Sequence, residues 1–164
     1  RQVDSKGQSL ISPLKRSFLA DGIPTELVWL AEVESSLEPD AESPLGARGL
    51  FQFMPSTAER FGLRTAKPDE RLVPEKSARA AARYLRLLHK EFGCWFLALA
   101  AYNAGEGRVS RALRNSAVKT FDGVAVHLPI ETQMYVPKVM ATVALREKVD
   151  PQALPPPTTQ GKGG

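Results

Sequence analysis

Apolar residues recur with helical spacing through most of the chain between positions 10 and 150. Residues 77–92 place alanines and leucines on one side and arginines on the other, which predicts an amphipathic helix. Residues 95–103 are apolar almost all round, which predicts a buried central helix. The remaining predicted helices span 11–20, 24–36, 108–114 and 131–148, with a further one that begins at Pro55 and ends at Gly62. Strand character is confined to 124–128, inside a predicted loop at 115–129, so the fold class is mostly α with little or no β-sheet.

The two ends of the chain differ in composition from its middle. Residues 1–9 are polar, and residues 151–164 hold four prolines followed by three glycines. Such compositions predict a flexible N-terminal segment and a Pro/Gly-rich tail that does not pack. We therefore expect one domain over residues 10–150. The chain begins at Arg1 without a signal-peptide pattern, which indicates a processed or shortened form.

Composition excludes several classes of protein. With 43% hydrophobic and 24% charged residues, the chain is neither disordered nor a coiled-coil rod. No apolar run reaches the length of about 18 residues that a membrane helix needs. Cys94 is the only cysteine and His89 and His127 are the only histidines, so we expect neither an internal disulfide nor a zinc site. The net charge of +4 suits nucleic acid, an anionic polymer or a membrane surface equally well.

One carboxylate falls on an apolar helix face. In the predicted helix 24–36, a rotation of about 100° per residue places Glu34 beside Ile23, Leu27 and Leu30, which should face the core. Burial disfavours the charged form of a carboxyl group and raises its pKa. A carboxyl group that stays protonated near neutral pH suits a general acid. Helix geometry alone leaves open the alternative that Glu34, in the last turn, extends into solvent.

The segment SPLGARGLFQFMPST, which begins at Ser43, follows this helix. Gly46 and Gly49 allow either a tight turn or a close approach of the backbone to a ligand. Gln52 is an amide between two phenylalanines and therefore needs hydrogen-bond partners. The alternative is a plain turn followed by the start of a helix at Pro55.

Two further segments place polar groups at helix ends. Tyr102 and Asn103 come at the end of the predicted central helix, where a buried helix would meet a cleft. A tyrosine there suits the face of a sugar ring or a hydrogen bond to a carboxyl group, although a core tyrosine and a capping asparagine are equally ordinary. Glu131 begins the last predicted helix, a common place for an acid that pairs with the helix dipole.

Taken together and in this order, the motifs resemble the lytic transglycosylases of the soluble-lytic-transglycosylase domain type (family 1), and most of all the membrane-bound lytic transglycosylase D branch. The resemblance extends over about residues 18–145. The segments that carry it are Glu34-Ser35, residues 43–57, residues 72–100, AYNAGEGRV at 101–109 and ETQMYVPKV at 131–139. It implies a lysozyme-like single domain.

The resemblance also implies an activity on peptidoglycan. Such enzymes cleave the β-1,4 bond between N-acetylmuramic acid and N-acetylglucosamine without water, and the C6 hydroxyl of the muramic acid closes on C1 to leave a 1,6-anhydro end. Glu34 matches the single catalytic acid and base, assisted by the N-acetyl group of the substrate. The other matching positions are expected to bind substrate or to order the active centre: Ser43 near the N-acetyl group, then Gln52, Met54, Tyr102, Asn103, Glu131 and Tyr135.

The remaining expectations follow from the same resemblance. No cofactor and no metal are needed, the partner is the peptidoglycan glycan strand and not nucleic acid, and the protein is a monomer. The location is the periplasm or cell envelope of a bacterium, and any membrane association would need a segment that this chain does not contain. Three positions depart from the usual family pattern: Leu37 and Glu38, where an aromatic residue followed by Asp or Asn is common, and Gln133, where some members have a basic residue.

Three alternatives stay open at this stage. A muramidase of the same fold would hydrolyse the bond, with Asp40 or Glu42 holding a water molecule. A catalytically silent glycan-binding domain would keep the cleft, but it would not need Glu34. A nucleic-acid binder would use a basic helix face, and such a face is formed by Arg79, Arg83, Arg86 and Lys90.

Overall fold

Helices make up most of the molecule, as the sequence predicts. The computed structural model describes residues 5–159. Its α-helices are α1 (Ser5–Ala20), α2 (Leu30–Ser35), α3 (Pro55–Arg60), α4 (Pro74–Phe92), α5 (Trp95–Ala104), α6 (Glu106–Arg114), α7 (Phe121–Val124) and α8 (Ile130–Glu147). Short 3₁₀ helices occupy Thr25–Trp29, Glu70–Leu72, Ala125–His127 and Pro151–Ala153. Within the described residues the only β pairing consists of isolated bridges, so the predicted fold class is confirmed.

Helix α5 lies at the centre of the core. Its residues from Leu97 to Ala101 are buried, and the helix contacts α4, α6, α7 and α8. Alanines on α4 and α5 let the two helices approach closely, and α1 also packs against α4. The prediction of a buried central helix is therefore confirmed. In the described part of the chain, no helix is long and apolar enough to cross a membrane.

The predicted helix 24–36 is divided into two pieces. Residues Thr25–Trp29 form a 3₁₀ helix, and α2 continues from Leu30 to Ser35. Residues 27–31 are all buried, so this stretch is packed on several sides and not along one stripe. The Trp29 indole N–H also donates a hydrogen bond to Glu147 on α8 at 2.5 Å. Tertiary packing therefore overrides the regular helical geometry that the spacing predicted.

The predicted loop at 115–129, with its strand-like residues 124–128, is wrong. Helix α7 and the 3₁₀ helix Ala125–His127 occupy this stretch. The hydroxyl of Thr120 caps α7 by accepting a hydrogen bond from the Gly123 N–H at 3.2 Å. Alternating valines suggested a strand, but they are divided between the core, where Val124 lies, and the surface, where Val126 lies.

Both predicted ends are more ordered than their composition suggested. Helix α1 begins at Ser5, inside the segment 1–9 that was expected to be flexible; residues 1–4 lie outside the described part. The tail packs as far as it is described, because the Trp95 indole donates to the Pro155 carbonyl at 2.8 Å and Arg86 donates to the Thr158 carbonyl at 2.7 Å. The expectation of an unpacked tail is therefore wrong for 151–159, and 160–164 lie outside the described residues. Whether residues 10–150 fold alone stays a prediction.

A buried arginine holds the loop between α2 and α3. Arg71 forms an ion pair with Asp69 at 2.7 Å, and both side chains are buried. The same guanidinium donates to the Gly46 and Phe53 carbonyls, each at 3.0 Å. Movement of the loop would therefore leave buried N–H groups of Arg71 without acceptors, which is costly.

The same loop requires glycine at one position for steric reasons. A Cβ atom on Gly49 would lie 2.0 Å from the Arg71 carbonyl oxygen, and the Gly49 φ is +82°. Gly46 has a similar φ of +91°, but a Cβ atom there would meet nothing within 4 Å. Two roles were expected for these glycines. Gly46 allows a turn, whereas Gly49 allows the loop backbone to lie close to the backbone of Arg71 and not to a ligand.

This contrast predicts different costs for two alanine substitutions. Gly46→Ala should lower the free energy of unfolding by about 1 kcal/mol, the cost of a left-handed backbone. Gly49→Ala adds a clash with main chain and should cost about 3 kcal/mol in total. Urea denaturation of the two variants measures both values, and equal losses would show that the loop can move away from Arg71.

Candidate active site

Glu34 lies in the last turn of α2, where the chain is held firmly. The Ser35 hydroxyl lies between the carbonyls of Ala31, at 2.8 Å, and Leu50, at 2.9 Å. Directly after the helix, Ser36 and Leu37 both have positive φ angles, of 54° and 63°, so the chain turns sharply away. The end of α2 is thus tied to the loop between α2 and α3, and it fixes the position of Glu34.

The surroundings of Glu34 keep its carboxyl group protonated at unusually high pH. Its side chain is partly buried, and its pKa is raised from 4.5 to about 7. Loss of contact with water is the main cause; the nearby Tyr135 hydroxyl lowers the pKa, and the negative charge of Glu131 raises it. The neighbours that act on this carboxyl group are a phenol and a second acid, not a cation. Glu34 therefore does not extend freely into solvent.

Tyr135 on α8 presents a buried hydroxyl to this carboxyl group. Its contact with Glu34 affects the pKa of both groups but falls short of the geometry of a formed hydrogen bond. Burial and the charge of Glu34 raise the pKa of Tyr135 well above 10, so its hydroxyl remains a donor. A small movement would let this hydroxyl donate to a carboxylate at position 34.

Tyr102 at the end of α5 approaches Glu34 from another side. Burial first, and then the charge of Glu34, raise the pKa of Tyr102 well above 10. Its hydroxyl donates to the Phe51 carbonyl at 2.7 Å, and its ring lies 5.4 Å from that of Tyr84 and 6.3 Å from that of Phe53. Tyr102 is thus fixed by core contacts and still lies close enough to Glu34 to interact electrostatically.

Asn103 joins the end of α5 to the start of α8. Its Oδ1 accepts a hydrogen bond from the Thr132 hydroxyl at 2.8 Å, and its Nδ2 donates to Glu131 at 3.4 Å. The structure therefore brings Tyr102, Asn103, Glu131 and Tyr135 into one group around Glu34. Their separate helices meet there because α2 and α5 both pack on α8.

The three remaining predicted residues lie in the loop between α2 and α3. The Ser43 hydroxyl accepts a hydrogen bond from the Ala47 N–H at 2.9 Å. The Gln52 amide donates to the carbonyls of Ala41, at 3.2 Å, and Gly49, at 2.8 Å, so its partners are the loop's own backbone. Met54 is 42% exposed just before α3. Within residues 5–159 no hydrogen bond or ion pair joins these side chains to Glu34, and their roles stay predictions.

Other acidic residues near Glu34 in sequence are arranged differently. Glu42 is exposed and pairs with Arg48 at 2.8 Å, while Glu38 and Asp40 are exposed. In the described part of the chain, no group of three or more His, Cys, Asp or Glu residues is placed to hold a metal ion. The chemistry of this site therefore centres on one partly buried carboxyl group.

Sequence reasoning missed two residues that support the site. Thr132 is buried and holds Asn103, and its spacing from Tyr135, Val136 and Val139 places it on the apolar stripe of α8, the same signal that singled out Glu34. Tyr84 supports Tyr102 from behind and donates to Glu106 at 3.3 Å. No sequence pattern reveals that second contact, because it joins residues on different helices.

The fold and the site define a known class. Residues 20–123 match the family model described as the Transglycosylase SLT domain, so the chain belongs to that family. It is 42% identical over 123 residues to the membrane-bound lytic murein transglycosylase D of Escherichia coli K12, and 40% identical over 121 residues to the soluble lytic murein transglycosylase of Salmonella typhimurium LT2. These alignments cover 73% and 68% of this chain, but the chain spans only 27% and 19% of the two relatives.

Solved structures give the same result. The 70 kDa soluble lytic transglycosylase of Escherichia coli superposes with a TM-score of 0.75 at 31% identity, over 88% of this chain and 25% of that one. An inactive glutamate-to-glutamine variant of the lytic transglycosylase Slt of Pseudomonas aeruginosa superposes with a TM-score of 0.72 at 31% identity, over the same shares of the two chains. The predicted resemblance and the lysozyme-like fold are therefore confirmed.

The raised pKa of Glu34 predicts an unusual dependence of stability on pH. Between pH 4.5 and about 7 the native protein holds a proton that the unfolded chain has released, so the free energy of unfolding falls as pH rises through this range. Glu34→Gln removes this loss of stability, because a glutamine side chain does not titrate. We expect the variant to exceed the native protein in stability by up to about 3 kcal/mol at pH 8 and by little at pH 4.

Urea denaturation across pH measures this difference. The matched control is Glu38→Gln, which changes an exposed glutamate four positions further on and should give no such gain at pH 8. A difference between Glu34→Gln and the native protein that is the same at both pH values would contradict a raised pKa.

Proposed function

We propose that this chain is a catalytic domain that cleaves the β-1,4 bond between N-acetylmuramic acid and N-acetylglucosamine in peptidoglycan and leaves 1,6-anhydro ends. The observation that carries the proposal is the carboxyl group of Glu34, whose pKa of about 7 allows it to act as an acid and as a base near neutral pH. The proposed setting is the envelope of a bacterium. Two relatives named murein transglycosylases support the substrate class.

In the first step Glu34 acts as a general acid. Its proton passes to the oxygen that links the two sugars, and the bond from that oxygen to C1 of the muramic acid breaks. The carbonyl oxygen of the substrate's own N-acetyl group bonds to C1 in place of the departing oxygen. No second carboxylate is therefore required as a nucleophile. The carboxylate formed at Glu34 can accept a hydrogen bond from the Tyr135 hydroxyl after a small movement, since this hydroxyl already lies near enough to affect the pKa of Glu34.

In the second step Glu34 acts as a general base. Its carboxylate removes the proton of the C6 hydroxyl, whose oxygen bonds to C1 and displaces the N-acetyl oxygen. The net reaction consumes no water and returns Glu34 to its protonated state. A pKa of about 7 suits both directions of proton transfer, since neither state is strongly favoured at neutral pH.

The arrangement of other acids favours this reaction over hydrolysis. An inverting hydrolase needs a second carboxylate that activates water on the opposite face of the sugar. Glu42, one of the two acids considered for that role, is held by Arg48 at 2.8 Å. Glu131 is the acid whose charge acts on Glu34, and it is bonded to Asn103 at 3.4 Å. The neighbour from Pseudomonas aeruginosa, inactive after a glutamate-to-glutamine change, supports an essential role for a glutamate.

The products of Glu34→Gln test the proposal directly. The native protein should release from purified peptidoglycan muropeptides that are lighter by one water than hydrolysis products and resist borohydride reduction. Glu34→Gln should keep the fold and lose this release by at least about a thousandfold, because the amide cannot transfer a proton. Mass spectrometry of the soluble fraction and far-ultraviolet circular dichroism measure the two expectations.

Three outcomes would contradict the proposal in different ways. Reducible products of full mass would make the protein a muramidase and direct attention to Asp40. Substantial activity in Glu34→Gln would remove Glu34 from the role of acid. Binding to the sacculus without any released product would favour a silent glycan-binding domain.

Two substitutions should move the pH dependence of cleavage in opposite directions. Cleavage needs protonated Glu34, so the rate should fall above a pH of about 7. Tyr135→Phe removes an interaction that lowers the pKa of Glu34 and should move this limit upward, whereas Glu131→Gln removes a charge that raises the pKa and should move it downward. Rates of muropeptide release between pH 5 and 9 measure the shifts, and a movement of both limits in one direction would contradict the assignment of Glu34.

A further inference from the structure

An open groove lies between α6 and the segment that leads into α8. Its volume is about 490 Å³. One wall carries Arg108, Arg111, Ala112 and Asn115, and the other carries Val126, His127, Leu128 and Pro129. None of the residues predicted to bind the sugar strand lines it, so it is separate from the group around Glu34.

The groove nevertheless begins where the proposed sugar-binding site ends. Helix α6 starts two residues after Ala104, the last residue of α5, and the other wall ends two residues before Glu131. The hydrogen bond between Asn103 and Thr132 joins the end of α5, which precedes the first wall, to the start of α8, which follows the second. The Gln133 amide also donates to the Leu128 carbonyl at 3.0 Å, which fixes the second wall. A branch that leaves the sugar strand beside Asn103 could therefore continue into the groove.

The charge on the first wall is unpaired. Arg108 and Arg111 are three positions apart on α6, so their side chains share a face, and both are exposed. Among the described residues, neither guanidinium takes part in an ion pair, whereas Arg60, Arg71 and Arg146 each pair with an acid. Two free guanidinium groups beside a groove are suited to bind carboxylates.

The second wall adds apolar surface. Its aliphatic side chains are those of Val126, which is 74% exposed, Leu128 and Pro129, and the exposed Ile130 follows directly after the wall in the chain. Apolar side chains that are exposed next to one another often mark a binding surface. No Phe, Tyr or Trp lines the groove, so it lacks the stacking platform typical of single-stranded nucleic-acid sites.

We propose that this groove binds the stem peptide that the muramic acid carries, with Arg108 and Arg111 on its carboxylates and the aliphatic side chains of the second wall on its methyl groups. This inference rests on the proposed function, because it requires the sugar strand to lie beside Glu34. A stem peptide has the chemistry that both walls need, since it is short, acidic and rich in alanine. The groove thus makes the protein selective for strands that still carry peptides.

The test compares strands with and without peptides. The double variant Arg108→Gln, Arg111→Gln should raise the KM for peptide-bearing strands about tenfold, with little change in kcat, because two charge-assisted contacts are lost. The KM for strands stripped of peptides by an amidase should not change. The matched control, Arg79→Gln with Arg114→Gln, removes two exposed arginines outside the groove and should leave both KM values unchanged. A rise that is equal on both substrates, or no rise, would overturn the inference.

A binding measurement separates this inference from the proposed function. Free stem peptide should bind the Glu34→Gln protein in calorimetric titration, and binding should weaken with salt, with esterified peptide carboxylates and with the Arg108→Gln, Arg111→Gln change. If the protein cleaves no strand but binds the peptide in this way, the proposed function fails and the groove assignment stands. If it releases anhydro products but does not bind the peptide, or binds an oligonucleotide more tightly, the groove assignment is overturned.

Discussion

The site depends on one constraint, which is that a carboxyl group must leave water without meeting a cation. Burial raises the pKa of Glu34 to about 7, and a nearby Lys or Arg would cancel this effect by stabilising the charged form. The helices around Glu34 satisfy the constraint because they place neutral hydroxyl groups near it, those of Tyr102 and Tyr135. Ser35 then pins the end of α2, so that the carboxyl group cannot escape into solvent by fraying of the helix.

A buried positive charge supports the loop that follows Glu34 and does not act on its carboxyl group. Arg71 is buried with Asp69 and uses its guanidinium to fix the loop between α2 and α3, which carries Ser43, Gln52 and Met54. A buried ion pair contributes little net stability, but its loss would leave an uncompensated charge, so it defines the loop conformation more than it strengthens the fold. Rigid support of this kind is what a binding loop needs when its own side chains bond to its backbone.

Sequence reasoning succeeded where one helix carried the signal. The apolar stripe predicted that Glu34 is withdrawn from solvent, and an apolar run predicted the buried central helix; the catalytic role of Glu34 stays a prediction. The structure confirmed the mostly helical fold for the same reason. Arg71, Tyr84 and the packed tail were missed because their contacts join residues far apart in the chain, such as Trp95 with Pro155. A proline-rich tail still offers carbonyl groups as hydrogen-bond acceptors. It packs against the domain when a buried donor on another element needs such an acceptor.

The same constraint explains why cations and the acid occupy different places. Peptidoglycan strands carry peptide carboxylates, and their recognition calls for arginines, yet an arginine within a few ångströms of Glu34 would abolish its function as an acid. Screening in salt solution reduces the effect of exposed charges beyond about 8 Å, so a modest separation is enough. In the proposed arrangement Arg108 and Arg111, on α6 after the chain turn at Gly105, bind the branch of the substrate and lie apart from its reacting bond. Binding energy gained there can position the strand without changing the proton affinity of Glu34.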